Sequence, residues 1–246
     1  RYQVVDLVLN TLTYNGSANL VINFTNTSDN IAAEVGTYLN FENLSAAAAT
    51  GNLDVTASTG GSTITTGAGN DTITLGAGTD FVSTGGGADT VIGTLSAGET
   101  VNLGAGNDSY AYQATVDSAN LIDGDAGTGD SLTYAGSASL VIDFSAVNDN
   151  IAAEAGSYRN FENFLAAAAS GNYTVTAATT GSTINTGSGT DTITLGAGAD
   201  SVDAGGNSDT VTNIGAGDSV SLGAGNDTAT YTSVAGASIS GGADVD

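Results

Sequence analysis

The feature of this sequence that most constrains its fold is a nine-residue spacing of aspartates within residues 66–92. Asp71, Asp80 and Asp89 each follow a glycine-rich run, and a branched apolar residue stands two positions after each of them. Glycine permits tight turns with positive φ, and the short segment after each aspartate suits a strand whose central side chain points inward. One such unit cannot bury its apolar residue alone, so consecutive units must stack. The spacing predicts an all-β parallel β-solenoid in which two nonapeptides form one coil and successive aspartates alternate between its two edges.

The same spacing predicts a metal site, because stacking brings carboxylates close together. Adjacent coils lie roughly 4.8 Å apart, and two carboxylates at that distance repel each other by about 1 kcal/mol even in water. A hard cation relieves this repulsion, and calcium prefers carboxylate and carbonyl oxygens, about six to eight at a time. We therefore expect calcium in the turns, and we expect calcium binding to be coupled to folding.

These units resemble the RTX (repeats-in-toxin) nonapeptide, whose pattern is G-G-x-G-x-D-x-U-x. Residues 84–92 match that pattern closely, and residues 66–74 and 75–83 each lack one of its glycines. The resemblance implies a right-handed β-roll with calcium-filled turns and several calcium ions as the cofactor. It also implies export by a type I secretion system to the medium or the bacterial cell surface.

The predicted calcium ligands are the carboxylates that end the glycine-rich turns, together with the glycines of those turns. The regularly spaced carboxylates are Asp71, Asp80, Asp89, Asp108, Asp191, Asp200, Asp209 and Asp227. Further candidates, whose spacing departs from the pattern, are Asp218, Glu99, Asp123, Asp125 and Asp130. The turn glycines are Gly67, Gly69, Gly76, Gly78, Gly85, Gly87, Gly187, Gly189, Gly196, Gly198 and Gly205. The alternative role for each carboxylate is that of a turn residue bonded to its own backbone. For Glu42 and Glu162 we expect bonds to turn amides rather than to metal.

A longer period overlies the nonapeptides. The segment that begins at Leu12 returns at Leu132, 120 positions later, and Asn40-Phe41-Glu42-Asn43 returns as Asn160-Phe161-Glu162-Asn163. We interpret the chain as the tail of a preceding repeat (1–11), repeat unit 1 (12–130, nonapeptides from 66), repeat unit 2 (131–238, nonapeptides from 186) and the start of a third unit (239–246). No proline or Ser/Gly linker separates the units, so we expect one continuous solenoid.

Three segments outside the nonapeptides carry weaker signals. The alanines at 46–49 have high helix propensity and suit a tight solenoid corner equally well. A helical turn is expected within residues 30–36. The apolar residues within 4–9 predict a buried strand.

Charge and composition exclude several functions. The 246 residues carry 26 acidic side chains and only two basic ones, for a formal net charge of −24, which argues against binding to nucleic acid or to anionic lipid. No apolar run is long enough for membrane insertion. The sequence contains no His and no Cys, which removes the usual general bases and thiol nucleophiles, so we expect no enzyme activity. We expect the tyrosines in the core rather than in a sugar-binding platform.

Three functions remain open at this point. The first is a calcium-binding extracellular structural protein whose repeats assemble into a surface layer, matrix or filament through the strand edges at the ends of the solenoid. The second is a spacer region of a giant adhesin, and the third is an accessory module of a secreted enzyme. The expected partners are further copies of the chain, with a cell-surface polysaccharide as the alternative.

Overall fold

The computed structural model describes residues 10–31, 37–93, 96–113, 120–152, 156–232 and 236–244. Within these ranges the chain forms strands and turns and no helix. The strands form three sheets whose neighbours run parallel, apart from the antiparallel pair Leu140–Asp143 and Ile151–Ala152. The predicted all-β parallel solenoid is therefore confirmed. None of the described residues forms a helix of the length and apolarity that a membrane crossing requires.

The three sheets are named here A, B and C. In spatial order, sheet A contains β1 (Thr11–Thr13), β3 (Asn43–Ser45), β5 (Thr63–Thr65), β7 (Phe81–Ser83), β9 (Thr100–Asn102), β11 (Leu121–Asp123) and β15 (Ser157–Arg159). Sheet B contains β2 (Leu20–Asn23), β4 (Leu53–Thr56), β6 (Thr72–Leu75), β8 (Thr90–Gly93), β10 (Ser109–Ala111), β12 (Ser131–Thr133), β16 (Asn163–Leu165), β18 (Thr183–Asn185), β20 (Ser201–Asp203), β22 (Ser219–Ser221) and β24 (Ser238–Ser240). Sheet C contains β14 (Ile151–Ala152), β13 (Leu140–Asp143), β17 (Tyr173–Thr176), β19 (Thr192–Thr194), β21 (Thr210–Ile214) and β23 (Thr228–Tyr231).

The core consists of columns of equivalent side chains, one from each coil. On sheet A, Ile64 pairs with Val82 and Val82 with Val101, and none of the three is more than 4% exposed. On sheet B, Ile73 pairs with Val91, and both are fully buried. Burying a side chain of this size contributes about 1.5–3 kcal/mol. These inward columns, repeated along the axis, are what a single nonapeptide cannot supply alone.

Corresponding strands of the two repeat units lie on opposite faces of the solenoid. Leu12 lies in β1 of sheet A, whereas Leu132 lies in β12 of sheet B. The first unit contributes eleven described strands, β1–β11, and an odd number of strands places the next unit on the other face. Sheet B continues through both units, while sheet A ends at β15 and sheet C takes its place.

An aromatic cluster fills the core where sheet A gives way to sheet C. Its members are Tyr110, Tyr112, Tyr134, Tyr158 and Tyr173, with ring centroids 5.1–6.2 Å apart for the neighbouring pairs. All five are buried, with at most 8% exposed. The expectation that the tyrosines form core is confirmed for these five residues.

The ambiguous alanine tract is a corner rather than a helix. Ala46 and Ala49 are buried in the turn between β3 and β4, and the Ala49 amide donates a hydrogen bond to the Ala46 carbonyl over 2.9 Å. Small side chains permit this corner to pack against the next coil. The strand expected within residues 4–9 and most of the helical turn expected within 30–36 lie outside the described residues.

The turn glycines are required for two different reasons. Gly87 has a φ of 130°, which L side chains rarely adopt. Gly67 has no positive φ, but a Cβ added there would lie 2.9 Å from the carbonyl oxygen of Ala46 and would overlap that of Ala49. The prediction of positive φ was therefore incomplete, because close stacking of coils also selects glycine.

Candidate metal centre

Each nonapeptide aspartate links its own coil to the preceding one. The Leu53 amide donates to Asp71 Oδ1 over 2.8 Å, and the Asp71 amide donates to Asp89 Oδ1 over 2.7 Å. The Asp89 amide donates in turn to Asp108 Oδ1 over 2.7 Å, and the Asp108 amide to Asp130 Oδ1 over 2.7 Å. These side chains are 0–1% exposed. They form a buried column of carboxylates along the turns that lead into sheet B.

A second column follows the turns that lead into sheet A. The Ser62 amide donates to Asp80 Oδ1 over 2.7 Å, and the Asp80 amide to Glu99 Oε2 over 2.8 Å. The Glu99 amide donates to Asn120 Oδ1 over 3.0 Å. The predicted alternation of Asp71, Asp80 and Asp89 between two edges is therefore confirmed.

The second unit repeats both columns. One contains Asp191, Asp209 and Asp227, which accept from the amides of Tyr173, Asp191 and Asp209 over 2.7–2.8 Å. The other contains Asp200 and Asp218, which accept from the amides of Ser182 and Asp200 over 2.7–2.9 Å.

The two columns differ at the second carboxylate oxygen. We define the open ladder as Asp71, Asp89, Asp108 and Asp130 in the first unit and Asp191, Asp209 and Asp227 in the second. The second oxygen, Oδ2, is buried and accepts no hydrogen bond in Asp71, Asp108, Asp130 and Asp209. In Asp89 and Asp191 it accepts no amide, and the nearby hydroxyls of Thr84 and Thr186 donate to the carbonyls of Leu103 and Ala204. We define the closed ladder as Asp80, Glu99, Asp200 and Asp218. Its second oxygens accept amides from their own turns, those of Gly76, Ser96, Gly196 and Gly215, over 2.7–3.2 Å.

The difference arises from the partners that the turn amides find. In the open turns the backbone pairs with the neighbouring turn, as in the bonds from Gly86 N to the Gly67 carbonyl (2.7 Å) and from Ala105 N to the Gly85 carbonyl (2.8 Å). In the closed turns an amide three or four residues before the carboxylate donates to that carboxylate instead, as Ser96 does to Glu99 and Gly76 does to Asp80. At Asp71, Asp108, Asp130 and Asp209 one carboxylate oxygen is therefore left without a donor.

Burial makes the charged form of these carboxylates unfavourable. It is the largest cause that raises the pKa of Asp89, Asp108 and Asp130 to about 6, and that of Asp209 to about 7. Neighbouring carboxylates add to the effect: Asp71 and Asp108 raise the pKa of Asp89 further. A buried column of like charges with unpartnered oxygens requires either protons or a cation.

The chemistry of the open ladder suits calcium. Carbonyl oxygens of one coil stack beside the carboxylates of the next: a Cβ added at Gly106 would overlap the Gly87 carbonyl oxygen and lie 3.2 Å from Asp108 Oδ1. Oxygen-only donor sets are those that calcium prefers. No three acidic side chains converge on one point among the described residues, so each ion would rely on few carboxylates and on backbone carbonyls. A bound ion would supply positive charge to the unpartnered oxygens.

Three irregularly spaced candidates lie where the second unit begins. Asp130 belongs to the open ladder, and its amide donates to Glu162 Oε2 over 3.0 Å. Asp123 forms an ion pair with Arg159 over 2.6 Å. Asp125 is exposed, has a φ of 65° and accepts a bond from Asn102 Nδ2 over 3.1 Å.

Both glutamates of the Phe-Glu-Asn motif accept backbone amides, as expected, since Glu42 Oε2 accepts from Asn10 N over 3.0 Å. Asn120 was not among the predicted site residues, although its Oδ1 accepts the amides of Gly98 and Glu99 and so follows Glu99 in the same column. The sequence does contain a signal for this residue. Asn120 stands directly before the strand residues Leu121-Ile122, as Asp80 stands directly before Phe81-Val82.

Fold and site together define a parallel β-solenoid with stacked turn carboxylates. The family model of the RTX calcium-binding nonapeptide repeat (4 copies) matches residues 56–91 and 179–211. The chain therefore carries RTX calcium-binding repeats in both of its units. No curated protein matches the sequence.

Proposed function

We propose that this protein is an extracellular structural solenoid that folds on calcium and assembles, through the strand edges at the ends of the solenoid, into a surface layer, matrix or filament. The observation that carries the proposal is the unbroken sheet B, whose 11 strands pass through both repeat units. At roughly 4.8 Å per strand this sheet alone extends about 48 Å. A sheet that crosses the unit boundary resists bending there. Repeated units therefore lengthen one rigid rod and do not form flexibly linked domains.

The second support is the coupling between coils. Each open-ladder carboxylate accepts an amide from the preceding coil, so an ion bound there stabilises two coils at once. Without calcium, repulsion between buried carboxylates and the conformational entropy of the 36 glycines oppose folding. Proteins with these repeats are typically secreted, and extracellular fluids supply calcium at the concentrations that low-affinity sites need.

A monomeric spacer in an adhesin is the second candidate, and the outer faces of the strands favour it. Thr192 and Thr194 point outward from β19, and Ser201 and Asp203 from β20, and all four are exposed. Polar outward faces of this kind keep rods apart.

Analytical ultracentrifugation and negative-stain electron microscopy in millimolar calcium separate the two functions. The proposed function predicts sheets or filaments that grow with protein concentration and dissolve in EDTA, and magnesium is the matched control ion. A folded monomer at all concentrations in calcium would refute assembly and leave the spacer function.

A further inference from the structure

We infer that calcium binds only along the open ladders, and that the closed-ladder carboxylates Asp80, Glu99, Asp200 and Asp218 are turn-closing residues rather than ligands. This inference rests on the proposed calcium-dependent folding and assigns its sites. It divides the regularly spaced aspartates, which the repeat pattern treats as equivalent, into two classes with different chemistry.

The carboxylates of the two ladders differ in their hydrogen bonds. At Asp71, Asp108 and Asp130 a cation would meet an oxygen that has no other partner. At Asp80 it would compete with two amides, those of Ser62 and Gly76, which donate over 2.7 and 2.9 Å. Breaking these bonds in a buried site leaves unsatisfied donors, which costs about 1–3 kcal/mol for each group.

The backbone atoms that the preceding coil places against each turn differ as well. A Cβ added at the second glycine of an open turn would overlap a carbonyl oxygen of the coil before it, as at Gly106 and Gly189. At the equivalent glycine of a closed turn, Gly78 or Gly198, it would overlap the amide nitrogen of Gly61 or Gly181. At the first glycine both classes meet a carbonyl oxygen, that of Ser58 at Gly76 and that of Gly67 at Gly85. The classes differ at the second glycine, where an open turn faces a further oxygen and a closed turn faces an amide group, which repels a cation.

Both units show the same division. Asp71 and Asp89 correspond to Asp191 and Asp209, and Asp80 corresponds to Asp200, each at a separation of 120 residues. The members of each pair fall in the same class although their neighbouring residues differ.

The division has a consequence for the whole solenoid. In the first unit the open ladder lies in the turns that lead into sheet B, and in the second unit it lies in the turns that lead into sheet C. The turns that lead into sheet B are closed in the second unit, at Asp200 and Asp218. Calcium should therefore form one row per unit, and successive rows should lie on opposite edges.

The test uses the full chain with calcium and two matched pairs of variants. D89N and D209N change open-ladder residues, and D80N and D200N change closed-ladder residues. Equilibrium dialysis with radioactive calcium counts bound ions, and urea unfolding in EDTA near pH 8 with stabilising sulfate measures the calcium-free fold while its carboxylates are ionised. Anomalous diffraction from crystals of the unmodified chain locates the ions without any substitution.

We expect D89N and D209N to lose at least one bound ion each and to stabilise the calcium-free fold, because a buried charge is removed. We expect D80N and D200N to keep every ion and to destabilise the calcium-free fold, because a side-chain NH2 then faces the turn amide. Equal ion loss in both pairs, or anomalous density at residues 76–80 and 196–200, would overturn the inference. Absence of any bound calcium would instead overturn the proposed function, so the two failures are distinguishable.

Discussion

Two adjacent glycines in one turn allow a sharp test of how the coils stack. Gly87 has a φ of 130°, and a Cβ there would overlap the carbonyl oxygen of Gly69 and lie 2.8 Å from its carbonyl carbon. An L side chain at such a φ costs about 1–2 kcal/mol, and forcing an extra carbon into a packed site costs about 1–3 kcal/mol more. We therefore expect G87A to destabilise the calcium-bound fold by about 2–5 kcal/mol.

Its control is one residue away. Gly86 has no positive φ, and a Cβ there would meet only the Ala105 carbonyl oxygen, at an ordinary 3.6 Å. G86A should be neutral or should stabilise by about 0.4–1 kcal/mol, because alanine restricts the unfolded chain. Urea unfolding in saturating calcium, followed by circular dichroism, measures both variants. Equal midpoints for the two variants would refute the stacking that the structure shows.

Three further variants test the core, the closed ladder and the unit junction. I193A should destabilise the fold by about 2–5 kcal/mol, because Ile193 is fully buried in the column of sheet C; chemical denaturation measures this, and a loss below 1 kcal/mol would contradict the packing. Burial, and to a smaller extent the charge of Asp80, raises the pKa of Glu99 to about 7. The folded state therefore binds the proton of Glu99 more tightly than the unfolded state does. Glu99 consequently stabilises the calcium-free fold least above pH 7. Stability in EDTA should therefore fall as pH rises from about 4.5 to 7, and E99Q should make this decline shallower; an unchanged slope would place the titration elsewhere. R159Q should destabilise the fold by about 1 kcal/mol, because it leaves Asp123 without its ion pair. The loss is small because water reaches the arginine, whose side chain is 40% exposed. The loss should shrink in a D123N background, and an equal loss in both backgrounds would exclude the pairing.

The repeat pattern was sufficient to predict the strands, the inward columns and the two edges. The reason is physical: Ile73, Val82 and Val91 recur every nine residues, and only a stacked coil with two strands buries all three. The bonds that Glu42 and Glu162 make to amides were also predictable, since a half-buried glutamate beside a turn satisfies backbone donors.

The division of the aspartates could not be predicted in this way. Residues 67–71 read Gly-Ala-Gly-Asn-Asp and residues 76–80 read Gly-Ala-Gly-Thr-Asp, so the local signals are almost the same. What separates them is the coil 18 residues earlier: Gly78 stacks on Gly61, whereas Gly69 stacks on the carbonyl of Gly51. This is a contact between coils, and a pattern that treats each nonapeptide alone contains no information about it.

The change of face between the units was likewise hidden. The 120-residue period was visible in the sequence, but the face depends on whether the unit contains an odd or an even number of strands. The face also depends on which strand each short segment joins. β15 (residues 157–159) pairs with β11 and extends sheet A, whereas β13 pairs with β17 and belongs to sheet C. A local reading of these short segments gives no indication of which earlier strand each one joins.

The central claim is that calcium, by neutralising the stacked carboxylates, makes this solenoid fold. Its most direct test is far-UV circular dichroism of the full chain near pH 7.5 during a calcium titration, with magnesium as the control and EDTA to reverse it. The account predicts a largely disordered chain in EDTA, a cooperative rise of β signal with calcium, and full reversal on chelation. An unchanged β spectrum and thermal transition in EDTA would contradict it.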